Sequence, residues 1–281
     1  MRLTVDGREA YAYTGGKTFD PALPCVVFIH GAMHDQSVLS LESRYFAHHG
    51  YGVLALNLPG HGRSAGPALP SAEALADWVV ALLAAAGVKR CALVGHSMGS
   101  LIALETAARL GDRATRLVMV GTAFPMKVSA ALLDAGLNQP LRAIDICNVL
   151  SHSTLAPKPS NPGPGTWPFG ANRALMRRLQ SGYGAAGHGN LFHHDFSLCD
   201  RYCGAMEAAE RVRCPVLFIL GDKDAMTPPK GAQALGQALH AELVRLPVGH
   251  ALMSEAPNGV VEALRRFLLP PPAAGVPLAA A

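Results

Sequence analysis

The chain has no long apolar run, no block of like charge and no closely spaced cysteine framework, and each shortage removes a class of function. Charges or glycines break its apolar stretches well short of the ~18–20 uninterrupted residues that a membrane-spanning helix requires, so no membrane span is expected. The formal net charge is only +4 and the Lys and Arg residues are scattered, whereas phosphate-backbone binding needs a basic stripe or patch. Nucleic acid is therefore not an expected partner. The six cysteines, at 25, 91, 147, 199, 203 and 214, lie in apolar or helical stretches, unlike the tight framework of a small secreted domain. Residues 1–6 also lack the basic and apolar regions of a secretory signal. The expected setting is the cytoplasm.

What remains is ample core. With 281 residues and 50% hydrophobic side chains, the chain can bury one large α/β domain with an insertion. Residues 2–13 alternate around Asp6-Gly7, the pattern of a β-hairpin. Short continuous apolar runs then alternate with helical periodicity: strands at 25–29, 52–56, 91–94 and 116–120, helices near 37–49, over 71–86 and from Met98. Ser71 is the expected N-cap of the second helix and Gly87 its stop. Runs that are apolar on both faces imply a largely parallel sheet covered by helices on each side.

From 122 to 210 the strands cease. The stretch "SHSTLAPKPSNPGPGTWPFG" at 151–170 excludes continuous regular structure, while 130–150 and 172–180 can be helical. This is the expected helical cap, inserted between core segments 1–121 and 211–269. The alternation resumes with strands at 215–220 and 242–246 and helices from Pro228 or Pro229 and over 257–269; a loose tail is expected at 270–281.

Within this plan, Gly95-His96-Ser97-Met98-Gly99 follows a strand and opens a helix. A sharp strand-to-helix turn exposes the serine hydroxyl and leaves the Met98 N–H pointing at any anion formed there, and it needs small residues two before and two after the serine. A serine nucleophile requires a base oriented by a third group. Among 12 histidines, His250 is the favoured base, since it follows the 242–246 strand on the same sheet edge as Ser97. His30 and His96 abut other strands and are better read as shaping their loops, although His30 is also a candidate for substrate contact. The acid can be Asp222 or Asp224, both directly after the 215–220 strand. The second oxyanion donor is expected from the Ala32 N–H in "VVFIHGAMHD". Met126, Leu133 and Leu137 are further candidates for substrate contact, alongside Leu132, Ile144, Ile146 and Leu150, all of which could equally form the cap's own core. His193, His194, Asp195, Cys199 and Cys203 are metal-ligand types, but no second close pair completes a tetrahedral set; no metal or other cofactor is expected.

In order along the chain, "HGAM", "LNLPGHGRS", "GHSMG", "GDKDAMTP" and "VGHALMSEAP" resemble the landmarks of the α/β-hydrolase superfamily. They are most similar to its small cytoplasmic branch of capped carboxylesterases, lactonases and cofactor-free perhydrolases. The resemblance runs from about residue 1 to 269 and departs from the family pattern at Asn57, where Asp is usual. It implies an α/β-hydrolase fold with Ser97 as nucleophile, Asp224 as acid, His250 as base and the N–H groups of Ala32 and Met98 as oxyanion hole. The implied activity is cleavage of a small or medium-sized apolar carboxylic ester. Lactone, thioester or carbon–carbon hydrolysis and perhydrolysis are alternatives on the same residues, and a non-catalytic ligand receptor is an alternative of another class. A carboxylate-dependent dehalogenase or epoxide hydrolase is disfavoured by Ser97.

Overall fold

The computed structural model describes residues 1–154 and 167–268; the middle of the Pro/Gly-rich stretch, 155–166, and residues 269–281, which include the last residue of the expected final helix and the tail, lie outside the described residues. Among the described residues, eight strands form one sheet in the order β1-β2-β4-β3-β5-β6-β7-β8. β1 (Arg2–Val5) and β2 (Arg8–Tyr13) form the antiparallel hairpin. Its two turn residues, Asp6 and Gly7, have φ of 49° and 76°, the left-handed pair that an Asp-Gly turn supplies.

β2 joins β4 (Gly52–Leu56) antiparallel. From there β3 (Cys25–Ile29), β5 (Cys91–His96), β6 (Ala114–Val120), β7 (Val216–Gly221) and β8 (Glu242–Leu246) continue in parallel. β3, β4, β5 and β7 are buried along their whole length, whereas Glu242, Leu243 and Arg245 of edge strand β8 are exposed.

The two-residue strand period divides the core. Val27 and Ile29 pack with α2 (Ala72–Ala85), α3 (Met98–Leu110) and α8 (Ala205–Arg211) on one face. Val26 and Phe28 pack with α1 (Ser40–His48), α10 (Leu252–Glu255) and α11 (Pro257–Leu268) on the other. Ser71 caps α2 by accepting from Ala74 N, and Gly87 follows the helix at φ 72°.

Several boundaries differ from the sequence reading for local reasons. The helix expected at 37–49 begins as a 3₁₀ turn over Gln36–Leu39, because Asp35 caps it by accepting from Ser37 N. The helix after Pro228 likewise starts as a 3₁₀ turn, Pro229–Ala232, before α9 (Gln233–Ala238).

The segment expected to form the cap holds α4 (Ala130–Asn138), α5 (Pro140–Ser151), α6 (Pro168–Ala185) and α7 (Leu191–Arg201). The stretch read as helical over 130–150 is divided at Gln139, since Pro140 has no N–H to give and starts a new helix. Leu132, Ile144, Met176, Leu179, Phe192 and Phe196 form the cap's own core and bury Met33 of the β3 loop with them. Leu198 and Cys199 of α7, Tyr202, and Ala205 and Ala208 of α8 belong to the main core cluster with Leu101 and Leu104 of α3. No helix among the described residues is long and apolar enough to cross a membrane.

Candidate active site

The carboxyl ends of β3, β5, β6, β7 and β8 share one sheet edge, and the loops leaving them carry the candidate residues. Ser97 sits between β5 and α3 with φ 53° and ψ −121°, a backbone conformation that side-chain-bearing residues rarely hold unless their surroundings force it. Both its backbone groups are fixed. Ser97 N donates to Val120 O at 2.9 Å, and Ser97 O accepts from Ser100 N at 2.8 Å and Ser100 Oγ at 2.6 Å.

The glycines explain how the turn fits. A Cβ on Gly95 would run into Gly99 O and lie 2.7 Å from Ser100 Cα, while one on Gly99 would lie 2.5 Å from His30 O. A Cβ on Gly31 would come within 3.1 Å of Ser97 Cβ, so the "HGAM" loop reaches the serine only because its backbone is bare there. Met98 opens α3, and its N–H therefore has no intrahelical acceptor.

The loops after β7 and β8 are zipped together: Asp222 N donates to Leu246 O at 2.8 Å and Lys223 N to Val248 O at 2.9 Å. That pairing brings Asp224 Oδ2 to 2.8 Å from His250 Nδ1 in a buried site. Thr227 Oγ1 also donates to Asp224 Oδ2 at 2.8 Å, and Oδ1 accepts from Met226 N and Thr227 N, each at 2.8 Å. Burial alone would raise the Asp224 pKa, but the His250 ring and the hydrogen bonds outweigh it and hold the carboxyl below its ordinary range.

Asp222 points elsewhere, to Arg245 Nε at 2.6 Å on the surface. Thr227, whose hydroxyl also lies 3.0 Å from His250 Nδ1, was not legible in the sequence; only its place three residues beyond Asp224 hinted at it. His96 Nε2 donates to His250 O at 3.0 Å, and the two rings pack with centroids 4.8 Å apart.

Ser97 and His250 both line a cavity of about 290 Å³ between core and cap, walled by apolar side chains including Ala32, Met126, Leu132, Met176, Phe196 and Met226. Among the described residues neither Ser97 Oγ nor His250 Nε2 makes a hydrogen bond, while His250 Nδ1 is held by Asp224 and Thr227.

Three residues expected to touch substrate lie off this wall. His30 is fully buried beneath the loop: Leu58 N donates to its Nε2 at 3.1 Å and its Nδ1 meets Gly31 O at 2.8 Å. Burial lowers its pKa to about 3, so it is a neutral structural histidine. Leu133 packs against the cap core, and Leu137 is 56% exposed. The reason is helical geometry. α4 turns Leu132 and Gly136 inward, Gly136 so closely that a Cβ would lie 2.8 Å from Phe192, and the i, i+4 pair Leu133/Leu137 is rotated about 100° away from them.

The histidine- and cysteine-bearing α7 clamps the cap to the core. Buried Asp195 faces His61 Nε2 at 2.9 Å, accepts from Met33 N at 2.9 Å and lies 3.2 Å from His194 Nδ1. Burial would raise the Asp195 pKa and lower that of His61. The attraction between the two charges reverses both tendencies, lowering Asp195 and raising His61. Met33 itself stands at φ 57°, directly after Ala32, so a cap carboxylate fixes the loop that carries a candidate oxyanion donor. No group of three or more metal-ligand side chains converges among the described residues.

Comparison with known proteins fits this architecture. The model of the alpha/beta hydrolase family matches residues 26–263. The chain belongs to the alpha/beta hydrolase family. It is 26% identical over 269 residues to an sn-1-specific diacylglycerol lipase of Mus musculus, covering 89% of this chain and 82% of that one. It is 27% identical over 257 residues to the pimeloyl-[acyl-carrier protein] methyl ester esterase of Chromobacterium violaceum, covering 85% and 90%. The fold is that of a thermophilic esterase, with a TM-score of 0.77 at 23% identity over 95% of this chain and 96% of that chain. An enol-lactonase from Burkholderia xenovorans has the same fold, with a TM-score of 0.73 at 20% identity over 95% and 99%.

Proposed function

We propose that this member of the alpha/beta hydrolase family is a serine esterase that cleaves small or medium-sized, largely apolar carboxylic esters through an acyl-enzyme on Ser97. The observation that carries the reading is the buried Asp224–His250 pair at 2.8 Å, which opens onto the same cavity as a serine held at φ 53°. Asp224 keeps a proton on His250 Nδ1, leaving the Nε2 lone pair to take the Ser97 Oγ proton. The alkoxide adds to the ester carbonyl, and the N–H groups of Ala32 and Met98 stabilise the resulting oxyanion. When the intermediate collapses, His250 returns the proton to the departing alcohol. Water then repeats the sequence on the acyl-enzyme and regenerates the serine.

A fixed donor aimed at developing charge is worth roughly 3–4 kcal/mol in such a step, which accounts for a loop clamped at Met33 by the cap. The relatives named for ester hydrolysis support the substrate class. The free thiols of the described residues support a reducing, cytoplasmic setting. The test is hydrolysis of an ethyl ester series of increasing acyl length, followed by pH-stat titration. Turnover that vanishes in Ser97→Ala is expected; turnover retained in that variant, or absent across esters, lactones and thioesters alike, would overturn the proposal.

A further inference from the structure

The cavity wall contains a polar group that ester cleavage does not use. His34 lines it, beside Asn172, and a chain of hydrogen bonds fixes which nitrogen of the His34 ring holds the proton. The Phe169 carbonyl can only accept, so Asn148 presents Nδ2 to it at 2.9 Å. Asn148 Oδ1 then accepts from Asn172 Nδ2 at 2.8 Å, which leaves Asn172 Oδ1 facing His34 Nε2 at 2.7 Å. Nε2 must donate, and Nδ1 is left as an acceptor.

That Nδ1 is buried and has no hydrogen-bond partner among the described residues, and a buried polar atom left unpaired has an acceptor capacity still to be met. Burial lowers the His34 pKa to about 4, so the ring is neutral near pH 7. It is also close to the reaction centre: His34 stands two residues after Ala32, and its ring stacks at 6.0 Å on that of His96, the residue before Ser97.

Resting on the esterase reading, we infer that His34 is a specificity residue whose Nδ1 accepts a hydrogen bond from the substrate. The favoured substrates are then esters that bear a hydrogen-bond donor, a hydroxyl or an amide N–H, close to the scissile carbonyl. The apolar lining accepts the rest of the chain, and the Asn148–Asn172 relay keeps the proton on Nε2 and the acceptor lone pair on Nδ1. Sequence reading had no means to single out His34 from the other histidines, because the relay that defines it spans 138 residues.

The test compares kcat/KM for ethyl butanoate with ethyl 2-hydroxybutanoate, ethyl 3-hydroxybutanoate, ethyl N-acetylglycinate and 2-hydroxyethyl butanoate. These arms distinguish a donor on the acyl side, as hydroxyl or amide, from one on the alcohol side. Dividing the wild-type preference by that of His34→Leu removes differences in intrinsic ester reactivity. For at least one donor-bearing ester the quotient is expected to be about ten- to a hundredfold, with part of the preference restored in His34→Gln, which returns an acceptor. A quotient near one for every ester overturns the inference. Calorimetric affinities of the same esters for Ser97→Ala, with and without His34→Leu, give the second readout. A donor-dependent affinity that needs His34 supports the inference even if no ester is turned over, which would defeat only the esterase reading. Hydrolysis of ethyl butanoate without any donor preference defeats only the inference.

Discussion

Removing the Asp195 carboxylate should loosen the cap from the core in a pH-dependent way. In Asp195→Ala the His61 ring loses its partner at 2.9 Å and Met33 N its acceptor at 2.9 Å, both in a site where the Asp195 and His61 side chains are 1% and 2% exposed. Breaking a buried pair by deleting one member costs about 3–5 kcal/mol, because the other is left uncompensated. At about 2–4 °C per kcal/mol for a protein of this size class, the expected fall in Tm is about 6–20 °C.

The sign with pH follows from the two shifts. The raised His61 pKa contributes stability that is complete below the ordinary histidine value of about 6.5 and is lost as pH rises through the folded value. The lowered Asp195 pKa contributes stability that is present above the ordinary aspartate value of about 3.9 and is lost as pH falls through the folded value. The Tm gap between wild type and variant should therefore be widest between about pH 4 and 6.5 and should narrow towards pH 9. Differential scanning calorimetry across that range measures it. A gap that is absent, or equally wide at pH 5 and pH 9, would refute the ion-pair account of the clamp.

Two further substitutions address the site directly. Gly99→Ala should destabilise the fold by about 3 kcal/mol or more in chemical denaturation, since the added methyl meets backbone at His30 O rather than a side chain that can move; a change under about 1 kcal/mol would contradict the close approach. Asp224→Asn should lower ester kcat by about 10⁴ by removing the charge and the acceptor that set the His250 tautomer. Asp222→Asn, which breaks only a surface contact to Arg245, should stay within about threefold of wild type, and the reverse order of effects would reassign the acid.

Features encoded locally were legible before the structure. Continuous apolar runs marked the buried strands, and the Gly95/Gly99 pair announced the turn at Ser97 through a steric requirement that the coordinates express as backbone-to-backbone contact. His250 was favoured over other histidines by its place after the 242–246 strand, on the sheet edge that carries Ser97.

What resisted was anything decided by which way a side chain turns. Asp222 and Asp224 follow the same strand, and only the zipped β7 and β8 loops send one to solvent and the other to His250. Leu132 and Leu133 are neighbours of identical type, yet one lines the cavity and the other packs against the cap core, because a helix rotates 100° per residue. Asp195 looked like one member of a ligand-rich helix. Its partner, His61, is 134 residues away, and no short-range pattern reports such a pairing.

The central claim is that Ser97 is the nucleophile, and covalent labelling tests it most directly. Wild-type protein treated with a fluorophosphonate probe and digested for peptide mass mapping should carry one adduct, on Ser97, formed rapidly at neutral pH and absent from Ser97→Ala. Labelling should slow by orders of magnitude in His250→Ala, which removes the base. An adduct on another residue, equal labelling of Ser97→Ala, or no labelling of the folded wild-type protein would contradict it.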